Sequence, residues 1–383
     1  MILVIVECPS PYQTPMLNRL VEKLDDDVLV FYLYGVDTER GWGDVGITHR
    51  HVVLNRSGGW RALIKTLLSP RLCAVLLFGY LGTARLLAAN VARIRRRPLV
   101  MRGAVNARDE LSRPTLRRLA KRWYLRVMLG RPEIWTIGSA SASYWELLGQ
   151  RRHHLVPNML QHLPGDEPGA AALRARLGVG ERFTFAFVGR LEPIKGLSDL
   201  LVAYDIVRQQ VPPDSTALII VGPGTLEQDV RRYVSTRPDC HYLGPIPYDK
   251  LGAIYAAADL FVAPSLREPW GWVINEALGF GTRVIASEAV AAADDLCNEQ
   301  TGRRCPVADP PALAAAMLAE YWEGRRRAPK LECVDTAQRM ADRLEHLIGK
   351  VPSSRLEEDD RVTDAGAGPD TSPVPDRVGH LRP

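Results

Sequence analysis

Two glutamates, Glu268 and Glu276, stand eight positions apart in the otherwise apolar stretch REPWGWVINEAL. A carboxylate can accept two hydrogen bonds from the neighbouring hydroxyls of a diol. The preceding run LFVAPS predicts a buried strand that ends near residue 265, and a helix is predicted to begin near Gly271. We therefore expect Glu268 on a loop at the carboxyl end of a strand, and Glu276 in the following helix, still facing the same cleft.

The start of this helix is suited to an anion. Its first backbone N–H groups, from Gly271, Trp272 and Val273, have no partner within the helix, and the helix dipole favours negative charge there. Pro269 stiffens the approach, and the glycine lets an anion come close to the backbone. A phosphate site between two hydroxyl-binding carboxylates matches the order of groups in a nucleotide-sugar, namely sugar, diphosphate and ribose.

Two further loops are predicted at the same edge of this sheet. The segment FVGRLEPIKG follows a strand and places Gly189, Arg190 and Lys195 there, where two cations could neutralise a diphosphate leaving group. The segment VGPGTLEQ brings Gly222 and Gly224 to the same edge. It lacks the third glycine of a dinucleotide fingerprint, which argues against NAD.

Short apolar runs alternate with helical patterns through most of the chain. Strands are predicted at 2–6, 28–34, 74–79, 98–102, 133–138, 183–189, 217–222, 240–244, 260–265 and 283–287. Strands that are nearly all apolar are buried on both faces, so the sheets should be parallel with helices on both sides. The sequence predicts an α/β fold of two Rossmann-like, doubly wound domains that face a cleft.

The domain boundaries follow from changes in composition. The stretch VPNMLQHLPGDEPG holds three prolines and two glycines and is typical of a linker, and the last residues have too few apolar side chains to fold. The predicted units are a first domain at 1–155, a linker at 156–169, a second domain at 170–330, a helix at 331–349 and a disordered tail at 350–383.

The overall composition is that of a globular protein. The 383 residues carry a net charge of +5 with a pI near 8.9, which suits an anionic ligand or membrane surface but is too mild to indicate nucleic acid binding. Six scattered cysteines show no zinc spacing and favour a reducing compartment. The start MILVIVE indicates a first strand rather than a signal peptide, so a cytoplasmic location is expected.

Five segments, in order and spacing, resemble the second domain of family 4 glycosyltransferases, which are retaining enzymes of the GT-B fold. They are VGRLEPIKG, IIVGPG, LGPIPYDKL, ADLFVAPS and EPWGWVINEALGFGTRVIAS. PSPYQTP near the start and VPN at the linker are similar to a bacterial subgroup of this family. The resemblance covers roughly residues 1–320. It implies an acceptor-binding first domain and a nucleotide-sugar-binding second domain.

The resemblance also implies roles for single residues. Arg190 and Lys195 would bind the diphosphate, and Glu268 would hold hydroxyls of the donor sugar and stabilise the transition state. Glu276 would bind the ribose, and the loop around Ile246 would lie along the base. Enzymes of this family need neither a metal nor a cofactor, because basic residues and helix amides replace the charge of a metal ion.

The sequence departs from the family pattern in three places. The first loop reads PSPYQ where many members carry glycines, the stretch MRGAVNARDE has no histidine where many have one, and SEAVAAADDL replaces further glycines. Tyr12, Gln13 and Arg102, which lie in the first two of these stretches, are candidates for the acceptor side. The run Asp25-Asp26-Asp27 contains Asp-x-Asp, which metal-dependent transferases use, but its place before a strand indicates a turn.

A predicted helix at 113–131 carries seven arginines and lysines together with Trp123 and Tyr124. It is either a solvated face or a contact with anionic lipid, where a lipid-linked acceptor would be found. The expected function is that of a retaining glycosyltransferase in surface polysaccharide or glycoconjugate biosynthesis, acting on a glycan, a lipid-linked saccharide or a small-molecule hydroxyl. A sugar-nucleotide epimerase of the same fold and a non-catalytic scaffold protein are the alternatives.

Overall fold

The structure is a computed structural model that describes residues 1–24, 27–35, 45–111, 114–130, 132–150, 152–158, 167–331 and 334–350. Most of the predicted linker, 159–166, lies outside the described residues. The predicted disordered tail also lies outside them, apart from Lys350, as do Asp25, Asp26, Arg113 and Arg131.

The first domain is built on a seven-stranded parallel sheet in the order β3-β2-β1-β4-β5-β6-β7. Its strands are β1 (Ile2–Val6), β2 (Val28–Tyr32), β3 (His51–Val53), β4 (Ala74–Phe78), β5 (Leu99–Arg102), β6 (Glu133–Thr136) and β7 (His153–Leu155). Its helices are α1 (Thr14–Lys23), α2 (Gly59–Leu68), α3 (Thr83–Ile94), α4 (Ala107–Leu111), α5 (Thr115–Tyr124) and α6 (Ser139–Leu147). The chain continues from α5 into a π-helical turn, Leu125–Leu129.

The second domain holds a six-stranded parallel sheet in the order β10-β9-β8-β11-β12-β13. Its strands are β8 (Phe183–Val188), β9 (Thr216–Val221), β10 (Cys240–Tyr242), β11 (Leu260–Ala263), β12 (Arg283–Ser287) and β13 (Gly302–Cys305). Its helices are α7 (Glu167–Leu177), α8 (Leu197–Gln210), α9 (Glu227–Val234), α10 (Gly252–Ala257), α11 (Trp272–Gly279), α12 (Ala291–Leu296) and α13 (Pro310–Trp322). These two sheets, with helices on both faces, form the GT-B fold that the sequence predicts.

Each sheet is covered by helices on both sides, as the apolar strands require. All residues of β1, β8 and β9 are buried. In the first domain, α1 packs on one face, while α2, α3, α6 and the π-helical turn pack on the other. Parallel strands without a polar face are stable only in such a three-layer arrangement.

The last described helix, α14 (Thr336–Leu347), returns to the first domain. Its Met340, Ala341 and Leu344 are buried in the core cluster that α1 also enters. The Lys23 side chain of α1 donates to Gln338, and the Thr336 hydroxyl donates to the Pro157 carbonyl. The helix predicted near the end of the chain is therefore a component of the first domain's outer layer.

Three edge strands, β3, β7 and β13, lack the apolar runs that predict strands. They read HVV, HHL and GRRC, and each pairs with a single neighbour. Edge strands are partly exposed, so polar side chains are tolerated in them. In the described part of the chain, no helix is long and apolar enough to span a membrane.

Candidate active site

Three loops meet at the carboxyl edge of the second sheet. They follow β8, β9 and β11 and are joined by backbone hydrogen bonds, from Leu191 N to Pro223 O (2.7 Å) and from Leu266 N to Ile194 O (2.9 Å). Gly222 has a φ of +133°, and a Cβ there would lie 1.9 Å from a backbone carbonyl oxygen of the neighbouring loop. Only glycine allows this approach, so the sequence itself fixes how closely these loops pack.

The amino-terminal end of α11 faces the cleft. Gly271 precedes the helix with a φ of +102°, and a Cβ there would lie 2.6 Å from the Val290 side chain. Glu268 N donates to Ala289 O (3.2 Å), and Ala291 N donates to Glu268 O (3.3 Å). These bonds attach the loop before α11 to the loop after β12. The first amides of α11 are thereby placed at the cleft, as an anion site requires.

Lys195 and Glu268 form an ion pair at the mouth of the site, between the loops that follow β8 and β11. Their side chains are 22% and 17% exposed, so the pair is largely shielded from water. Arg190, which follows Gly189 on the same loop, lines the same cavity and is exposed at its rim. The site therefore offers two cations and a carboxylate close to the helix amides.

Glu276 lies at the deep end of the cavity and is only 3% exposed. The Tyr255 hydroxyl donates to its Oε2 atom. Burial raises the pKa of Glu276 to about 7, and the hydroxyls of Tyr255 and Tyr248 keep it from rising further. A buried carboxylate at this position gains from a ligand that donates hydroxyl hydrogens to it.

One cavity of about 470 Å³ collects nearly all the residues predicted to bind the donor. Eleven of the twelve line it: Gly189, Arg190, Lys195, Gly222, Ile246, Glu268, Pro269, Gly271, Trp272, Val273 and Glu276. The twelfth, Gly224, lies against the backbone of Leu191 instead, where a Cβ would be 2.5 Å from a carbonyl oxygen. The structure thus brings the predicted donor residues together, while their roles stay predictions.

The three acceptor-side candidates have different surroundings. Tyr12 lines the 470 Å³ cavity, where its ring stacks on Trp272 (5.0 Å between centroids) and meets Tyr248 edge-on. Gln13 is the residue before α1. Arg102 is buried and donates to the carbonyls of 156 and 157 (3.1 Å each) and to the side chain of residue 158 (3.0 Å), so its guanidinium contacts the linker rather than the cavity.

Sequence reasoning missed the tyrosines around Glu276. Tyr248 lines the cavity, and Tyr255 is fully buried behind it on α10. Burial beside the carboxylate raises the pKa of both phenols. The quoted segment LGPIPYDKL already contains Tyr248, and Tyr255 is seven positions further on. A buried carboxylate needs hydrogen-bond donors, and a tyrosine hydroxyl can supply one. That requirement was the signal that could have identified them.

A second cavity, of about 490 Å³, lies at the amino end of β9. Its cations are already paired, because Arg208 bonds Asp239 and Arg237 bonds Asp205. Ligands of doubly wound sheets bind at the carboxyl ends of the strands, so this cavity is the weaker candidate. Among the described residues, no three histidine, cysteine or acidic side chains are grouped to hold a metal ion.

Comparison with known proteins finds sequence similarity over the part of the chain that carries this site. The sequence profile of the family described as Glycosyl transferases group 1 matches residues 182–321. Glycogen synthase of Mycobacterium tuberculosis is 35% identical over 150 residues, which cover 38% of this chain and 35% of that protein. D-inositol 3-phosphate glycosyltransferase of Corynebacterium kroppenstedtii is 28% identical over 221 residues, covering 53% of this chain and 49% of that protein.

The similarity of fold extends over both domains. The crystal structure of Anabaena HepE in complex with UDP matches with a TM-score of 0.68 and 18% identity, covering 95% of this chain and 99% of that one. The chain matches between about a third and a half of the length of the two relatives named above. Residues 182–321 of this chain thus match the glycosyl transferases group 1 family, within a two-domain GT-B fold.

Proposed function

We propose that this protein is a retaining glycosyltransferase that moves a sugar from a nucleotide-sugar to a hydroxyl group. The observation that carries the proposal is the order of groups in the 470 Å³ cavity. The Lys195–Glu268 pair stands at its mouth, the open start of α11 lies beside the pair, and buried Glu276 lies at the far end. This order suits a sugar, a diphosphate and a ribose in turn.

In this proposal the diphosphate binds the amides at the start of α11 and the side chains of Arg190 and Lys195. Glu268 exchanges its bond to Lys195 for hydroxyls of the donor sugar, and Glu276 accepts the two ribose hydroxyls. The base lies along the loop that carries Ile246. Preorganised donors and cations in a shielded site stabilise developing charge more strongly than they would in water.

The reaction begins as the bond between the sugar's anomeric carbon and the diphosphate breaks. The negative charge that develops on the departing oxygen is neutralised by Arg190, Lys195 and the helix amides. The acceptor hydroxyl attacks from the face that the diphosphate leaves, and its proton passes to the departing phosphate oxygen. No protein nucleophile is required, and the configuration of the sugar is retained. Metal independence belongs to the proposal, since the cations supply the charge.

The acceptor is proposed to be a glycan, a lipid-linked saccharide or a small molecule with a free hydroxyl, at the cytoplasmic face of the membrane or in the cytoplasm. The names of the relatives support sugar transfer, and HepE was crystallised with UDP, with UDP and glucose and with UDP-glucose. UDP is therefore the first nucleotide to test. Membership of family 4 and a role in surface polysaccharide or glycoconjugate biosynthesis are parts of the same proposal.

The test is thermal and chemical unfolding of wild type and Glu276→Ala with UDP, GDP, ADP and dTDP. A nucleotide at 100 times its dissociation constant should raise the free energy of unfolding by about 2.7 kcal/mol. We expect one nucleotide to stabilise wild type selectively, the Glu276→Ala variant to lose this effect, and the exposed control Glu22→Ala to keep it. Stabilisation by none of the four nucleotides in folded protein would contradict the proposal.

Product analysis with the matching nucleotide-sugar then tests the reaction class. Release of the nucleotide only when an acceptor is present is the expected result for a transferase. Conversion of the nucleotide-sugar without an acceptor would indicate an epimerase, and binding without turnover with any acceptor would indicate a scaffold protein. Either of these results would contradict the proposed function.

A further inference from the structure

The modest net charge of +5 conceals a strong separation of charge along the chain. Residues 45–132 contain 19 lysines and arginines but only two acidic residues, Asp109 and Glu110. The other residues contain 30 basic and 42 acidic side chains, so the two parts have formal charges of +17 and −12. The stretch 45–132 runs from the segment before β3 to the residue before β6.

Much of this charge lies on the outer surface of one layer of helices. The buried sides of α2 and α3 and the π-helical turn share one core cluster, so these elements cover the same face of the first sheet. Twelve of the described cations in the stretch are exposed: Arg50, Arg56, Arg61, Lys65, Arg71, Arg93, Arg96, Arg97, Arg108, Arg117, Arg122 and Arg126. We call the outward surface of α2, α3, α5 and the π-helical turn the basic face.

Large apolar side chains stand between these cations at helical spacing. They are Trp60, Ile64 and Leu68 on α2, Leu87 and Ile94 on α3, and Leu116, Leu119, Trp123 and Val127 on α5 and the turn that follows. Leu116 is 78% exposed and Trp123 is 64% exposed. None of the described α5 side chains is buried, and Leu116, Leu119 and Trp123 of this helix are each more than half exposed. Repeated exposed apolar groups on several adjacent helices mark an interaction surface.

We propose that the basic face docks on an anionic lipid bilayer. Leucine and tryptophan on a helix that also carries many arginines are the side chains that enter the boundary between headgroups and acyl chains. Each cation near an anionic membrane surface strengthens the contact, and almost no acidic side chains oppose it here. The combination of apolar stripes with one sign of charge fits a bilayer better than it fits a nucleic acid backbone, which offers no apolar layer.

The position of α5 connects this face to the cleft. Lys121 pairs with buried Glu110 (2.7 Å) at the end of α4 and lies over the rings of Tyr80 (5.3 Å) and Tyr144 (4.9 Å). In α4, Arg108 bonds Asp294 of the second domain (2.8 Å). The last turn of α5 is thus held against α4, which itself contacts the second domain. Resting on the proposed function, an acceptor seated in the bilayer would meet the donor cleft from this side.

The experiment is flotation of the full chain with vesicles of phosphatidylcholine alone or mixed with phosphatidylglycerol, at low and high salt. We expect wild type to bind the mixed vesicles, to bind the neutral ones weakly, and to dissociate as salt shortens the Debye length. Since one cation near such a surface contributes about a fivefold change in binding, Arg117→Glu/Arg122→Glu should weaken it at least about 25-fold.

Two further variants separate the contribution of apolar area to vesicle binding from that of net charge. Leu119→Ser/Trp123→Ser keeps the charge and removes apolar area, and it should also weaken binding, by at least about tenfold. Arg176→Glu/Arg232→Glu makes the same charge change on exposed positions of the second domain and should bind as wild type does.

The proposal is overturned if wild type ignores anionic vesicles, or binds neutral ones equally well, or if both α5 variants bind normally. It is also overturned if the second-domain control loses as much binding as Arg117→Glu/Arg122→Glu, since net charge alone would then explain the effect. Light scattering that shows a dimer dependent on Trp123, with no vesicle binding, would assign the face to a second copy of this chain instead. Flotation requires no turnover, so its result is separate from that of the nucleotide panel.

Discussion

The Asp295 carboxylate of the second domain accepts two hydrogen bonds from the backbone amide of Ser139 in the first domain, at 3.0 and 3.2 Å. Ser139 is the first residue of α6, so the carboxylate occupies the position of a helix cap, supplied from across the domain boundary. The preceding residue, Gly138, packs under Trp270 of the donor-site loop. The site and the first domain are therefore mechanically connected through this contact.

Gly138→Ala should disturb the donor site without touching the cavity. A Cβ there would lie 2.5 Å from the Trp270 ring and 2.2 Å from an Asp295 oxygen, so Trp270 or α6 must move. Because a displacement of about 1 Å in a catalytic group can cost up to about 100-fold in rate, we expect turnover to fall 10- to 100-fold. Gly35→Ala, where no described atom lies within 4 Å of the new Cβ, is the control. Unchanged steady-state kinetics in Gly138→Ala would show that the contact does not position the loop.

The part of the fold that could be predicted from the sequence consists of the strands that are buried on both faces. The central strands β1, β4, β8, β9, β11 and β12 are largely apolar because helices cover both of their faces. The edge strand β13 reads GRRC and gives no such signal. The packing of α14 on the first domain could not be predicted either. An amphipathic pattern shows that a helix forms, but it does not show which distant surface the helix covers.

The part of the site that lies within the second domain could also be predicted from the sequence. Arg190, Lys195 and Glu268 follow strand ends, and parallel strands bring their carboxyl ends to one edge, so their proximity follows from local pattern. Tyr12, a candidate for the acceptor side, lines the same cavity as the residues predicted to bind the donor. That position depends on how the two domains meet, which no local periodicity encodes. The Asp295–Ser139 contact escaped prediction for the same reason.

Removing any of the charged groups at the cavity mouth should abolish most activity. We expect Glu268→Ala, Arg190→Ala and Lys195→Ala each to lower turnover at least about 100-fold, the typical effect of losing one electrostatic contact in the transition state. Since Lys195 and Glu268 are paired, the double variant should lose much less than the product of the single losses. Arg176→Ala, an exposed change on α7, is the control. Single-turnover rates near wild type in all three variants would exclude the proposed mechanism.

Donor affinity should depend on pH through Glu276, whose pKa is raised to about 7 by burial. Ribose hydroxyls donate to the ionised carboxylate, so binding should tighten as pH rises through 7, by about tenfold between pH 6 and pH 8. A nucleotide-sugar is the ligand to use, because its doubly esterified diphosphate keeps a constant charge in this range. Calorimetric titration should show the trend in wild type and no trend in Glu276→Gln. An equal trend in both would assign the titration to another group.

The same residue should make stability depend on pH in the opposite sense. The pKa of Glu276 is raised from 4.5 to about 7 by burial, so the folded state binds the proton more tightly than the unfolded state. The free energy of unfolding that this group contributes therefore falls as pH rises from about 4.5 to 7, by roughly 3 kcal/mol. In urea titrations, Glu276→Gln should lose less stability than wild type between pH 5 and pH 8. Exposed Glu22→Gln should follow wild type, and identical slopes for all three proteins would refute the assignment.

Tyr12 should support the donor site by holding Trp272 across the cleft. The two rings stack at 5.0 Å, and an aromatic pair of this kind contributes about 0.5–1.5 kcal/mol. Because the Trp272 amide belongs to the anion site at the start of α11, Tyr12→Ala should weaken nucleotide-sugar binding up to about tenfold, while Tyr12→Phe keeps the ring and binds normally. Tyr34→Ala, on an exposed tyrosine elsewhere in the first domain, is the control. Tighter binding by Tyr12→Ala would mean that the ring occupies space the ligand needs, and that Tyr12 obstructs the site instead of supporting it.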